Sequence, residues 1–382
     1  MTPLGVAGLV ARELGDCETV VDFAVGEGAL LRAVQERRGS TKLIGFDIDQ
    51  LMVKVASNSL VGSDIRRGNG LLARLSASSL TGRIGVVGNP PFIGESKDRH
   101  GWLKRAFKGL TGKLGQDRAE IQFLARSLLT ARAGNGRVVI VLPIGFADGD
   151  VYRRLRTLLM TQYRLLRCIE MGNDVFANTE ARTVILVIDT IGVPSDEVEI
   201  CEMPAGVQTP ICVCKKVLTP GARLDARYHK AMNLTAMSAG PQLKDFKVTI
   251  VRGIVSRKEA ETLNIAALHT TDLGRVQDGR LVTSRLCAST DERHVVARRG
   301  DILLPRTGSR VRWMPVLVES GAAPITDHVF RIRAPRAIRK MVIDSFNHPA
   351  FSDWLHGVSK GVCATVLTKS ELMQMPLFAS GS

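Results

Sequence analysis

No apolar run in this chain is long enough to cross a bilayer. The longest, Val138 to Ile144 and Val184 to Ile188, fall well short of the roughly 20 residues a spanning helix needs. The N-terminus lacks a basic segment followed by an apolar stretch and a cleavage site, which argues against a secretory signal and for a cytoplasmic protein. Seven cysteines are present, but without the paired spacing of a zinc knuckle. Cys212 and Cys214 are one residue apart and alternate along a strand-like stretch, so the expectation is buried, reduced thiols and no metal site. Also missing is the G-x-G-x-x-G signature of dinucleotide-binding folds.

What is present suits a globular protein of two domains. The 382 residues are 45% hydrophobic and 23% charged, enough for two separate cores. The net charge of +15 is unevenly distributed. From Gly221 onward there are 24 Lys and Arg against 14 Asp and Glu, whereas the first 220 residues hold 28 against 23. A basic module joined to a nearly balanced one suits a polyanion partner, although a basic surface also simply keeps a protein soluble.

The first half alternates strand-like and helix-like segments. Val20 to Ala24 leads through Gly26-Glu27-Gly28 into a helix over Ala29 to Arg37. Leu43 to Phe46 is a second strand ending at Asp47-Ile48-Asp49, and Ile84 to Val87 is another. Arg118 to Ala133 reads as an amphipathic helix with Ile121, Leu124, Ala125, Leu128 and Leu129 on its apolar face. Val138 to Leu142, Tyr163 to Ile169 and Thr183 to Ile188 complete the set. The alternation predicts an α/β fold, a doubly wound and mostly parallel sheet whose ligands lie beyond the carboxyl ends of the strands. The second, smaller domain is expected to be mixed α+β, with boundaries at 1–215 and 216–382.

Three strand ends carry candidate ligand-binding residues. Asp22-Phe-Ala24-Val-Gly26-Glu-Gly28 places glycines directly after a strand, where the backbone can turn sharply and approach a ligand. A two-glycine turn alone is also ordinary α/β architecture. Asp47, about 20 residues on, stands where a carboxylate can take both hydroxyls of a ribose. Asp22 can hold the amino-acid end of the same ligand. Asn69, in Gly68-Asn69-Gly70-Leu71, can hydrogen-bond an adenine ring or serve as a turn residue.

The sharpest signal is Asn89-Pro90-Pro91-Phe92 at the end of a strand that prolines cannot extend. An adenine amine is a poor nucleophile because its lone pair is delocalised into the ring. The Asn89 side-chain oxygen and the Pro90 carbonyl can accept both of its N–H bonds and favour a tetrahedral nitrogen. The prolines fix those acceptors before the substrate arrives. Phe92 can stack on the base.

In these motifs the first 190 or so residues resemble the AdoMet-dependent N6-adenine DNA methyltransferases of the gamma arrangement. Thr2-Pro3 resembles the leading cofactor segment, Asp22 to Gly28 the D-P-A-x-G-x-G loop and Gly45 to Asp49 the ribose-binding strand end. Asn89 to Phe92 matches the catalytic tetrapeptide without change. Phe176 stands where the family carries a second aromatic for the extruded base. Phe23 replaces the usual proline, and Asn69 replaces an acid. The resemblance implies S-adenosyl-L-methionine (AdoMet) as cofactor, held by Thr2, Asp22, Ala24, Gly26, Gly28, Asp47, Ile48, Asn69 and Gly70.

Leu218 to Tyr228 resembles the entry to the target-recognition domain of such enzymes. Gly300 to Gly308, Ile325 to Arg333 and Lys360 to Thr365 resemble the recognition modules of type I restriction specificity subunits. Arg306, Arg310, Arg312 and Lys360 are candidate contacts to phosphates or guanine edges, each also readable as a solvated charge. The basic stretch Lys97 to Lys113, with Trp102 inside it, reads either as a loop closing over DNA or as an exposed helix with a tryptophan anchor. The implied activity is methyl transfer to adenine N6 of a base rotated into the cleft between the domains. Expected partners are double-stranded DNA and a cognate restriction endonuclease, with no membrane. Methylation of cytosine N4, ribosomal RNA or a release-factor glutamine uses the same planar-amine chemistry, and a DNA-binding module with a degenerate catalytic half is a further alternative.

Overall fold

The apolar runs of the first 189 residues become strands buried on both faces, as a sheet covered by helices on each side requires. The computed structural model describes residues 2–92, 98, 100–110, 118–172, 175–176, 182–194, 197–207, 209–237, 240–276, 278–282, 294–308, 313–359 and 365–378. They form two compact units, 1–229 and 230–382.

Unit 1–229 contains α1 (Leu4–Leu14), β1 (Thr19–Asp22), α2 (Ala29–Arg37), β2 (Lys42–Asp47), α3 (Gln50–Ser59), β3 (Asp64–Arg67) and β4 (Ile84–Gly88). These are followed by α4 (Trp102–Ala106), α5 (Ala119–Ala133), β5 (Arg137–Pro143), α6 (Gly145–Asp148), α7 (Arg153–Gln162) and β6 (Arg164–Met171). The strands β7 (Thr183–Asp189), β8 (Glu197–Met203) and β9 (Ile211–Val217) finish it, and α8 (Ala226–Met237) carries the chain onward.

The nine strands form one sheet in the order β3-β2-β1-β4-β5-β7-β6-β8-β9. The run from β3 to β5 is parallel throughout, and β6 is parallel to β8. Both ladders of β7 and the β8–β9 pair are antiparallel. Side chains alternate between two cores. Val86, Val138, Ile140 and Leu186 face a cluster with α4, α5 and α7. Val87, Val139, Val141 and Val187 face a cluster with α1, α2 and α3. The expected doubly wound α/β sheet is therefore present.

Two details differ from the sequence reading. Helix α5 is not amphipathic: Glu120, Gln122, Arg126 and Ser127 are buried along with its apolar residues, while Leu129 is only half-buried. For Arg126 the physical reason lies in its neighbours, which supply the carbonyls and rings described below. Second, residues 216–229 pack with the first unit rather than the second. The buried guanidinium of Arg156 donates to the carbonyls of Phe146, Gly149, Gly221 and Ala222, and Leu224 N–H donates to Ala147 O at 3.1 Å.

Unit 230–382 is a mixture of short strands and helices around its own core. Its elements are β10 (Thr249–Arg252), α9 (Arg257–Thr262), α10 (Thr270–Leu273), β11 (Arg280–Val282), β12 (Val296–Arg298), β13 (Ile302–Pro305) and β14 (Thr307–Gly308). Then come β15 (Val316–Ser320), β16 (Ala322–Pro324), β17 (Val329–Arg333), α11 (Arg336–Asn347), α12 (Pro349–Val358), β18 (Thr365–Val366) and α13 (Lys369–Leu372). The main sheet has the order β10-β17-β13-β15-β11. Among the described residues, no helix in either unit is long and apolar enough to cross a membrane.

Candidate functional site

Register brings the sequence-predicted residues to one edge of the sheet. Asp22, the last residue of β1, lies beside Gly45 of β2 on one side and Val87 of β4 on the other. Asp47 closes β2 beside Arg67 of β3. The chain segments bearing Asp22, Asp47, Asn69 and Asn89 thus leave the carboxyl ends of four neighbouring parallel strands. At a strand spacing of about 4.8 Å they spread over roughly 14 Å, a span that suits an extended nucleoside joined to an amino acid.

Carboxylates hold the cofactor-side loops. Asp22 stops β1 by accepting Ala24 N–H at 2.9 Å. Asp47 accepts Gly26 N–H at 2.8 Å through one oxygen and Asp49 N–H at 3.0 Å through the other. It therefore ties the glycine loop to the end of β2 and keeps lone pairs for a ligand. Gly28 starts α2 at φ 87°, a left-handed conformation that favours glycine. Burial lifts the Asp22 pKa to about 7, with the nearby Asp47 charge adding to the rise and the Ala24 amide opposing it. Ile48 is 68% exposed beside this loop. Asn69 accepts Leu71 N–H at 2.9 Å, so its oxygen makes a turn while its amide NH₂ stays available to a ligand.

Arg126, on α5, joins these loops and was invisible in the sequence. It is 3% exposed, and its guanidinium donates to the carbonyls of Gly70 and Ala73. Its other faces lie 4.1 Å from the Phe23 ring centre and 5.1 Å from that of Trp102. Phe23, at the position of the family's usual proline, thus forms one wall of a cation–π stack. Gly70 must be glycine, because a Cβ there would lie 1.7 Å from Phe23 O. Trp102 donates from Nε1 to Leu71 O at 3.1 Å, and Asp98 caps its backbone N–H at 2.9 Å. Within the described part of the basic stretch, Trp102 is therefore an anchor. Leu103, Ala106 and Phe107 are buried there, and Lys104, Arg105 and Lys108 are exposed. Lys97, Arg99 and Lys113 lie outside the described residues.

The tetrapeptide occupies the end of β4. Pro90 is buried, Asn89 is half-buried, and Phe92 is 41% exposed. Asn89 Nδ2 donates to Thr2 Oγ1 at 3.1 Å, a contact across 87 positions of sequence. The arrangement leaves the Asn89 carbonyl oxygen as an acceptor and Phe92 as an aromatic face accessible to a planar ring.

Other candidates are more scattered. Phe176 is half-buried against the cluster that contains α1 and α2. Arg306 sits between β13 and β14 in unit 230–382, half-buried, with its backbone N–H on His328 O at 2.8 Å. Arg310, Arg312 and Lys360 lie outside the described residues. The expectation of uniformly buried thiols fails at Cys212, which is exposed because β9 is the edge strand. Glu199, Cys201 and Cys212 gather within 4.8 Å. Arg167 takes one Glu199 oxygen at 2.7 Å, the Cys201 thiol faces the other at 3.7 Å, and burial pushes Cys201 up to about 12.

The chain has counterparts among known proteins. Residues 1–202 match the family model described as N-6 DNA Methylase. Among solved structures, the type IIL restriction-modification enzyme MmeI, determined with DNA, aligns over 97% of this chain and 63% of its own. The TM-score is 0.53 at 14% identity. The type IIG restriction endonuclease BpuSI aligns over 100% of this chain and 59% of its own, with TM-score 0.51 at 13% identity. A type I restriction-modification methyltransferase subunit from Streptococcus thermophilus covers 63% of this chain at 19% identity and TM-score 0.46. The chain spans 53% of that subunit's length, and at these identities the likenesses to BpuSI and MmeI establish the fold. No curated protein matches. With more than half its length matched by that model and the tetrapeptide on the predicted strand end, the chain belongs to the N-6 DNA Methylase family.

Proposed function

We propose that the chain methylates the exocyclic N6 of adenine in double-stranded DNA, with AdoMet as donor. The observation that carries this reading is the half-buried Asn89, oriented by its amide, beside a glycine-and-carboxylate loop on the adjoining strand. The residues around that loop fit AdoMet. Asp47 takes the ribose hydroxyls, the exposed Ile48 packs against the cofactor's base, and Asn69 donates to it through its amide. Gly26 leaves space for it, and Asp22 faces the amino-acid end, where an ammonium would favour its ionised form. When bound, AdoMet supplies a methyl group made electrophilic by its sulfonium.

The protein's own task is to present the amine. Asn89 Oδ1 and Pro90 O accept its two N–H groups, which draws the nitrogen lone pair out of the ring. Phe92 stacks on the base rotated from the duplex, with Phe176 as the second ring. Positioning supplies much of the rate. The excess proton leaves to solvent after transfer, so no resident general base is required. Unit 230–382, which carries the larger share of the charge excess, holds the DNA, with Arg306, Arg310, Arg312 and Lys360 on phosphates or guanine edges. A cognate restriction endonuclease is the expected partner, in the cytoplasm.

The test supplies methyl-labelled AdoMet with duplex DNA, ribosomal RNA or release factor and identifies the labelled product. N6-methyladenine from DNA is expected. Label confined to cytosine N4, RNA or protein would contradict the reading.

A further inference from the structure

We propose that Thr2 is a positioning residue for methyl transfer, one that anchors the Asn89 side-chain amide through Nδ2 so that Oδ1 faces the substrate amine. The inference rests on the function proposed above and adds a residue to it. A primary amide has two ends of nearly equal shape and opposite hydrogen-bonding character. Turned one way, Asn89 offers Oδ1 to an amine that carries two donors. Turned by half a rotation, it offers its own NH₂, and two donor groups face each other. The backbone and prolines of the tetrapeptide set where the side chain points but cannot choose between its ends.

Thr2 holds the amide in the first of these orientations. Its Oγ1 lies 3.1 Å from Asn89 Nδ2 and accepts from it. The acceptor is itself well placed. Thr2 immediately precedes Pro3, whose carbonyl takes Ala7 N–H at 3.0 Å in the first turn of α1. Helix α1 is clamped by the buried Val6, Leu9, Val10 and Leu14 in the core beneath β4. The hydroxyl is half-exposed, so its own proton can go to solvent while the oxygen accepts. With Nδ2 held, Oδ1 is left for the substrate before it arrives. Sequence reading assigned Thr2 to the cofactor; the geometry assigns its hydroxyl to the acceptor side chain.

The experiment compares Thr2→Val, which keeps the shape and removes the acceptor, with Thr2→Ser, which keeps the acceptor. Single-turnover methylation of duplex DNA is measured at saturating AdoMet, and AdoMet affinity is measured by calorimetry on the same preparations. A lost hydrogen bond that orients a reacting group should slow the transfer by roughly 5- to 100-fold in Thr2→Val. AdoMet Kd should stay within about twofold and Thr2→Ser should remain near the unsubstituted rate, a split that mere structural loosening would not give. Two results would overturn the proposal. One is a higher AdoMet Kd in Thr2→Val with an unchanged saturated rate, which returns Thr2 to the cofactor. The other is no change in either quantity. Failure of the underlying function shows separately: if Asn89→Ala methylates as well as the unsubstituted protein, the reading of the tetrapeptide falls and this proposal with it.

Discussion

The two arms of the site are built in opposite ways. On the side of the glycine loop, side chains organise backbone: Asp22 and Asn69 accept amides of their own loops, and Asp47 accepts Asp49 N–H in its own loop and Gly26 N–H in the glycine loop. On the tetrapeptide side, backbone organises a side chain, with a buried proline behind Asn89 and the start of α1 bringing Thr2 to its amide. The first design ties affinity to charges and to remote residues that hold loops together. The second makes geometry stiff and nearly independent of pH. The arms should therefore fail differently when disturbed.

The largest effect on the cofactor arm is expected from Asp47→Ala. It removes the acceptor of Gly26 and Asp49 N–H together with the proposed ribose contact. Charged hydrogen bonds contribute about 1.5–3 kcal/mol each, so AdoMet affinity should fall by about 10- to 100-fold. Calorimetry checks this, and an unchanged affinity would remove Asp47 from the site. DNA binding, measured in parallel, should persist.

Arg126→Met comes next and probes the same arm from a distance. It leaves the carbonyls of Gly70 and Ala73 without their donor and opens the stack between Phe23 and Trp102. AdoMet Kd should rise by roughly tenfold, the equivalent of about 1.4 kcal/mol, with a lower Tm. At saturating AdoMet the transfer rate should recover, because the tetrapeptide arm is untouched. A rate that stays low at saturation would blur the distinction between the arms.

The smallest effect is a pH dependence, and its two parts have opposite signs. The Asp22 carboxyl has its pKa raised by burial from an ordinary 3.8 to about 7. Between those values the folded state retains a proton that the unfolded state has released. Its contribution to stability is therefore present at low pH and lost as pH rises towards about 7. AdoMet affinity should move the other way, falling as pH drops below about 7, because a protonated Asp22 cannot pair with an ammonium. In Asp22→Asn both dependences should flatten, as thermal melts and calorimetry from pH 5 to about 8 would show. Transfer at saturating AdoMet should change little across that range.

Legibility in the sequence followed the same division. Strands β1, β2 and β4 and helix α2 were readable because continuous apolar runs and a glycine turn are local signals. Helix α5 was readable as a helix, but the partners of its Arg126 come from Gly70, Ala73, Phe23 and Trp102, which spacing within the helix does not reveal. The Thr2–Asn89 bond, across 87 positions, leaves no trace in either segment. Cys212 looked buried because alternation cannot tell an edge strand from an inner one. The two compact units divide at 229/230, where the sequence suggested 215/216.

The most direct measurement of the central claim is product analysis of Asn89→Ala, with duplex DNA and labelled AdoMet in a single turnover. The account predicts that N6-methyladenine disappears while the variant still binds both AdoMet and DNA. Methylated adenine formed at the rate of the unsubstituted protein would contradict it.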